Sequence, residues 1–463
     1  MKAYHELIAR KLDVSTPTGL SVLPELPVGL FPHQQALTQW ALRRGRAAIF
    51  ADTGLGKTRM QIAWADAVHA VENHDVLILA PLAVAAQTVE EGRALGIDVT
   101  HCRDDSDVRP GINITNYDRL HRFDSGRFGA VVLDESSCIK HHDSKTLQRL
   151  MDAFNHAPFK LCATATPAPN DWTELGTHAG FLGVCTRTEM LSEFFVHDGG
   201  ETQVWRLKGH ARQQFWRWVS SWGAMVRSPA DLGYDASGYD LPALHVHEHT
   251  VESPQNAIGM LFPLEAQTLS ERRDARRSSL ESRVAACVAA VTAQPDESWV
   301  VWCDLNAEGD ALTKAIPGAV QVAGADDIDV KEDRLLGFAR GDFKVLVTKS
   351  SIAGWGSNWQ HCARMAFVGV TDSFEAYYQA VRRSWRFGQT RTVHVHVFAS
   401  EAEGAVVANL RRKERDALAM AESLTAETRE AVRDQVIGTT RYTNNYDAQQ
   451  RIAAPAWLTT EVA

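Results

Sequence analysis

The 463-residue chain has no apolar run near the ~20 residues that a membrane span needs. Its opening, MKAYHELIARKLD, is charged and amphipathic and lacks the apolar core of a secretory signal. Seven cysteines are scattered singly, none closely paired, which argues against a disulfide frame or a zinc site and for a reducing compartment. Positive charge is not in excess either: the net charge is -9. That counts against a simple sequence-reading DNA binder, whose footprint is usually basic. It still permits one basic cleft inside an acidic body. Short-period repeats and low-complexity tracts are missing. With 45% hydrophobic and 23% charged residues the composition is that of an ordinary globular protein, long enough for two or three domains.

Strand-like and helix-like segments alternate along the first third. RAAIFAD precedes a Gly-rich turn, KTRMQIAWADAVHAV has helical spacing, DVLILAP is a second strand, and INITNY, AVVLDE and LCATAT follow. Such alternation predicts a parallel sheet covered by helices on both faces. From about 181 to 280 the character changes to a tryptophan-rich stretch (Trp205, Trp216, Trp218, Trp222), Gly- and Pro-containing loops and an Arg-rich run. This reads as a helical insert and hinge, its tryptophans serving packing. Alternation resumes with SWVVWCD, AVQVAG, KVLVTKS, MAFVGV and VHVHVFA. The expected organisation is therefore an N-terminal segment (1–25), a first α/β lobe (26–180), the insert and hinge (181–280), a second lobe (281–415) and a C-terminal helix and tail (416–463).

The strongest signal is Ala51-Asp-Thr-Gly-Leu-Gly-Lys-Thr58, placed after a strand and before a helix. There Thr53, Gly54 and Gly56 let successive N–H groups turn toward one anion, and the following helix adds its dipole. Lys57 reaches the β- and γ-phosphates, and the Thr58 hydroxyl suits Mg²⁺. The next is Val131-Val-Leu-Asp-Glu-Ser136, a strand ending in two acids at the edge where ligands bind in α/β sheets. Asp134 is expected to hold Mg²⁺ and Glu135 to polarise the attacking water. Alone, such a pair also describes a solvated strand end.

Two further strings complete the set. Leu161-Cys-Ala-Thr-Ala-Thr-Pro167 places hydroxyls at Thr164 and Thr166, suited to linking the acids to a neighbouring surface. Gln379-Ala-Val-Arg-Arg-Ser-Trp-Arg-Phe-Gly-Gln389, in the second unit, sets Arg383 and Arg386 three apart on one helix face. Planar guanidinium forks from a separate lobe make a natural finger pair for a phosphate. Gln379 joins Thr164 and Thr166 as an expected coupling residue between the lobes. The alternating His245, His247 and His249, like His394 and His396, have no evident acid or cysteine partner for a metal.

The order of these strings resembles superfamily-two helicases, and the closing RSWRFGQ and the loop ADTGLGKT resemble the Swi/Snf-type branch. Leu30-Phe-Pro-His-Gln-Gln35 is similar to that branch's LRPYQ, Ile114-Thr-Asn-Tyr-Asp118 to its ITNYE, and Ser350–Asn358 to its KAGGxGLN. Departures are Asp-Glu-Ser-Ser in place of DEAH or DEGH, Trp385 in place of the histidine of RAHRIGQ, and the missing large inserts of eukaryotic remodellers. The chain thereby resembles the compact helicases of bacteriophages and prophages.

The resemblance implies two RecA-like lobes with ATP between them, Gln34 and Gly354 beside the nucleotide, and nucleic acid across both lobes through Pro81, Thr115, Ser350 and Asn358. The Arg272-Arg273, Arg276-Arg277 and Arg411-Arg412-Lys413 runs are further candidates for a track or for solvated helix faces. The expectation is an ATP- and Mg²⁺-dependent motor of replication, recombination or repair, located in the cytoplasm of a bacterial or phage-infected cell. It would track duplex DNA through the phosphate backbone, without sequence specificity and away from membranes. Strand separation on branched, single-stranded or RNA substrates, a nucleotide-gated clamp with little turnover, and the helicase subunit of a restriction or defence complex are the alternatives.

Overall fold

The computed structural model describes residues 17–81, 84–168, 171–197, 205–251, 277–353, 358–369, 373–400, 412, 422, 425–426 and 428–437. Gly354 and Arg272, Arg273, Arg276, Arg411 and Lys413 lie outside them.

The first lobe opens with α1 (Pro32–Arg44) and β1 (Arg46–Ala51), then α2 (Lys57–Glu72), β2 (Asp75–Ala80), α3 (Ala85–Ala94), β3 (Val99–His101) and β4 (Ile112–Asn116). It continues through β5 (Phe128–Asp134), α4 (Lys145–Phe154), β6 (Phe159–Ala163), α5 (Leu175–Leu182), α6 (Arg187–Phe194), the hairpin β7 (Phe195–His197) and β8 (Trp205–Leu207), α7 (Arg212–Ser220) and β9 (Gly223–Val226). Seven of these strands form one sheet in the order β3-β4-β2-β5-β6-β1-β9, every pairing parallel. The two-residue period of β1 feeds both faces. Ala47, Ile49 and Ala51 enter one core with the helices α1 and α2, and Ala48 and Phe50 enter the other with Trp216 and Trp222.

The second lobe consists of β10 (Leu244–Val251), α8 (Leu280–Thr292), β11 (Trp299–Cys303), α9 (Asn306–Ala315), β12 (Ala319–Val322), α10 (Ile328–Arg340), β13 (Val345–Lys349), α11 (Ser350–Ala353), β14 (Arg364–Val368), α12 (Phe374–Val381) and β15 (Val393–Ser400). Its six-stranded sheet, β10-β15-β14-β11-β13-β12, is again all parallel. Val300 and Trp302 face one core, Trp299, Val301 and Cys303 the other. Two parallel sheets flanked by helices are the two RecA-like lobes.

The stretch read as insert is shared out by these sheets. Trp216, Trp218 and Trp222 are buried in the first lobe's core, and β9 extends that lobe's sheet beside β1. Strand β10 edges the second sheet, paired along its length with β15. Its histidines zip to those of β15: His247 Nε2 lies 2.9 Å from His394 Nδ1, and His249 Nε2 2.9 Å from His396 Nδ1. The chain then returns to the first lobe. In helical residues 428–437, Val432 and Val436 pack with Leu20 and Leu232, and Arg429 pairs with Asp231 at 3.0 Å.

Candidate nucleotide site between the lobes

β1 is buried and ends at Ala51, and α2 starts at Lys57, so residues 52–56 must reverse the chain in a small space. Gly54 and Gly56 do this at φ +95° and +81°, where a side chain is strained. A Cβ on Gly56 would run into the Gln34 amide, and one on Gly54 would come within 2.9 Å of Phe387 Cβ from the second lobe. Lys57 Nζ donates to the Ala51 carbonyl at 2.9 Å and reaches that of Asp52 at 3.5 Å. Burial lowers the Lys57 pKa against the pull of Glu135, Asp134 and Asp52. Thr53 and Thr58 line the same cavity.

The acids sit at the C-terminal end of β5, as placed from the sequence. Burial and the adjacent Glu135 push the Asp134 carboxyl up to about 6, opposed by a hydrogen bond from Gln61 and by Lys57. That bond, Gln61 Nε2 to Asp134 Oδ1, is 2.6 Å. Gln61 stands four residues after Lys57, one turn along α2. Glu135 has φ +51° and ψ +51°, a left-handed conformation costly for a side-chain-bearing residue. Three neighbours fix this turn: Tyr117 donates to the Asp134 carbonyl at 2.7 Å, Thr164 Oγ1 to Glu135 Oε2 at 3.3 Å, and Ser136 Oγ meets His178 Nε2 at 3.1 Å. Thr164 in turn accepts the Thr166 N–H at 3.2 Å.

The second lobe supplies the arginines. Arg383 donates to the Gln379 carbonyl at 2.9 Å and to its Oε1 at 3.0 Å, so Gln379 holds the arginine from within its own lobe. Burial lowers the Arg383 pKa against the charges of Glu135 and Asp134. Burial and Arg383 bring Arg386 down to about 9, opposed by Glu135. Lys57, Asp134 and Glu135 from one lobe and Arg383 and Arg386 from the other line one cavity of about 350 Å³. At its far end Gln34 Oε1 accepts the Phe31 N–H at 3.0 Å and Nε2 donates to the Leu55 carbonyl at 3.0 Å. Each end of that amide keeps one hydrogen-bonding valence. Phe31 and Phe387 flank it, with Tyr239 stacked on Phe387 at 4.7 Å between ring centres.

Of the residues read as nucleic-acid contacts, Pro81 follows β2, Ser350 opens α11, and both are half-buried. Thr115 is fully buried within β4 and Asn358 lines the interlobe cavity. Thr115 therefore presents no open face, whereas Asn358 is half-buried. Sequence reasoning missed Gln61, Tyr117, His178 and the set Asp52, Tyr378 and Arg382. Only Gln61 carried a signal, its one-turn spacing from Lys57.

A phosphate-loop lobe facing an arginine-bearing lobe across one cavity defines a helicase-like ATPase architecture. Residues 33–198, within the first lobe, match the SNF2-related domain, the helicase-like ATPase domain of the Swi/Snf-type branch of superfamily two. The match covers just over a third of the chain, and no curated protein matches the chain.

Proposed function

We propose that the chain hydrolyses ATP between its lobes and uses the cycle to move along duplex DNA. The observation carrying this is the meeting of Arg383 and Arg386 with Lys57, Asp134 and Glu135 around one cavity. The triphosphate lies on the N–H groups of residues 53–58, and Lys57 exchanges its carbonyl partners for phosphate oxygens. The spare donor and acceptor of Gln34 suit N7 and N6 of adenine, and Phe31 and Phe387 offer ring faces to the base. Glu135 Oε1 and Oε2 orient the attacking water, and Thr164 steadies the carboxylate. Arg383 and Arg386 neutralise charge developing on the transferred phosphoryl group, which requires the lobes to be together.

The Thr58 hydroxyl and the Asp134 carboxylate fit Mg²⁺, because Asp134 is buried beside a second acid and gains from a cation. When bound, the ion supplies charge neutralisation at the phosphate oxygens. The boundary between lobes falls between β9 and β10, and alternating grip at Pro81 and Ser350 turns closure into a step.

Measuring ATPase rate with duplex DNA, single strands and RNA tests the reading. Duplex DNA is expected to stimulate most. Stimulation by single strands or RNA alone would establish the strand-separating alternative, and no stimulation by any nucleic acid would favour the clamp.

A further inference from the structure

The loop carries an acid, Asp52, next to Thr53 at the edge of the cavity though not itself lining it, and its Oδ1 already accepts the Thr53 N–H at 2.6 Å. A lone carboxylate there repels the nucleotide. In the structure it is met by the second lobe: Arg382 Nη2 lies 3.0 Å from Asp52 Oδ2, and the Tyr378 hydroxyl donates to Oδ1 at 3.1 Å. That hydroxyl also accepts from Arg382 Nε at 3.1 Å and Nη2 at 3.0 Å. The guanidinium stands over the rings of Trp385 and Tyr378, 4.9 Å and 5.2 Å from their centres. The paired side chains of Arg382 and Asp52 are only 9% and 17% exposed. Trp385 is itself tied to the linker, its Nε1 donating to the Pro242 carbonyl at 2.7 Å. Unlike Arg383 and Arg386, Arg382 does not line the cavity.

We infer that Arg382, braced by Tyr378 and Trp385, is a positioning residue that neutralises Asp52, so that docking of the second lobe makes the phosphate loop receptive to ATP. Arg382 acts through Asp52 and does not touch the phosphates. Its loss leaves an acid without its arginine partner beside the anion site, near Lys57, and a partner removed from a largely buried charge pair is costly. Removing the acid as well should restore binding. Asparagine at position 52 keeps an oxygen for the Thr53 N–H and the Tyr378 hydroxyl.

The inference rests on the ATP reading above, so binding of a fluorescent ATP analogue to the full-length wild type is measured first; no binding there fails that reading. Given binding, Arg382→Ala is expected to weaken affinity roughly tenfold or more, and Asp52→Asn/Arg382→Ala to return within about twofold of wild type. Asp52→Asn alone should bind at least as tightly as wild type, and this variant keeps the test open if Arg382→Ala melts early. Wild-type affinity in Arg382→Ala, equal weakness in the double variant, or weakened binding in Asp52→Asn would each overturn the inference.

Discussion

The hydrogen bond from Gln61 to Asp134 extends downward the pH range in which that acid stays ionised, against burial and Glu135. Asp134 is already raised to about 6 by burial and Glu135, with Gln61 and Lys57 pulling the other way. Only the ionised carboxylate can hold a cation, so kcat/KM for Mg-ATP should fall as pH drops through about 6. Gln61→Leu removes the donor while keeping an apolar side chain of similar size. A hydrogen bond to a charged group contributes about 1.5–3 kcal/mol, and one pKa unit is about 1.4 kcal/mol. Relaxation and water entry recover part of this, leaving an upward shift of about one unit. The acid limb of kcat/KM should therefore move from near 6 to near 7, with activity at pH 8.5 largely kept. A profile lowered equally at every pH, or an unmoved limb, would refute the reasoning.

Arg386→Ala should lower kcat by roughly 10³-fold or more while the protein still folds, read by steady-state ATPase and thermal melting. Glu135→Gln should bind ATP and fail to turn it over, and near-normal turnover would remove Glu135 from its role. Gly54→Ala should push the lobes apart, since its Cβ would fall 2.9 Å from Phe387 Cβ; small-angle scattering should show a larger radius of gyration. Burial and the neighbouring histidines hold His396 near 4, below its ordinary 6.5. The folded chain thus takes up fewer protons than the unfolded one, and this contribution to stability, present above 6.5, is lost as pH falls toward 4. His396→Phe should flatten the decline in melting temperature over that window; an unchanged slope would count against the ladder.

The fold class was legible because each lobe writes its strands as short apolar runs and its helices with helical spacing. The loop and acids were legible because phosphate chemistry constrains neighbouring residues; the arginines were picked out by their three-residue spacing, but the helix expected to carry them ends at Val381, and Arg383 and Arg386 lie in the turns that follow it. Strand β9 was hidden: GAMV is four residues long and follows a tryptophan-rich helix, so nothing local marks it as a sheet member. His245, His247 and His249 gave their shared face but not their partners on β15. Asp52, Tyr378 and Arg382 meet only because the lobes dock, across 326 and 330 residues of sequence. Thr115 was given as a nucleic-acid contact only by the resemblance of its motif, and the sheet buries it.

The most direct measurement of the central claim is displacement of a third strand from a duplex bearing a triplex-forming oligonucleotide. Wild-type protein with Mg-ATP is expected to release the strand faster than spontaneous dissociation, while Glu135→Gln with ATP leaves it bound. ATP hydrolysis proceeding on the same duplex without any acceleration of release would contradict the claim that this chain moves along DNA.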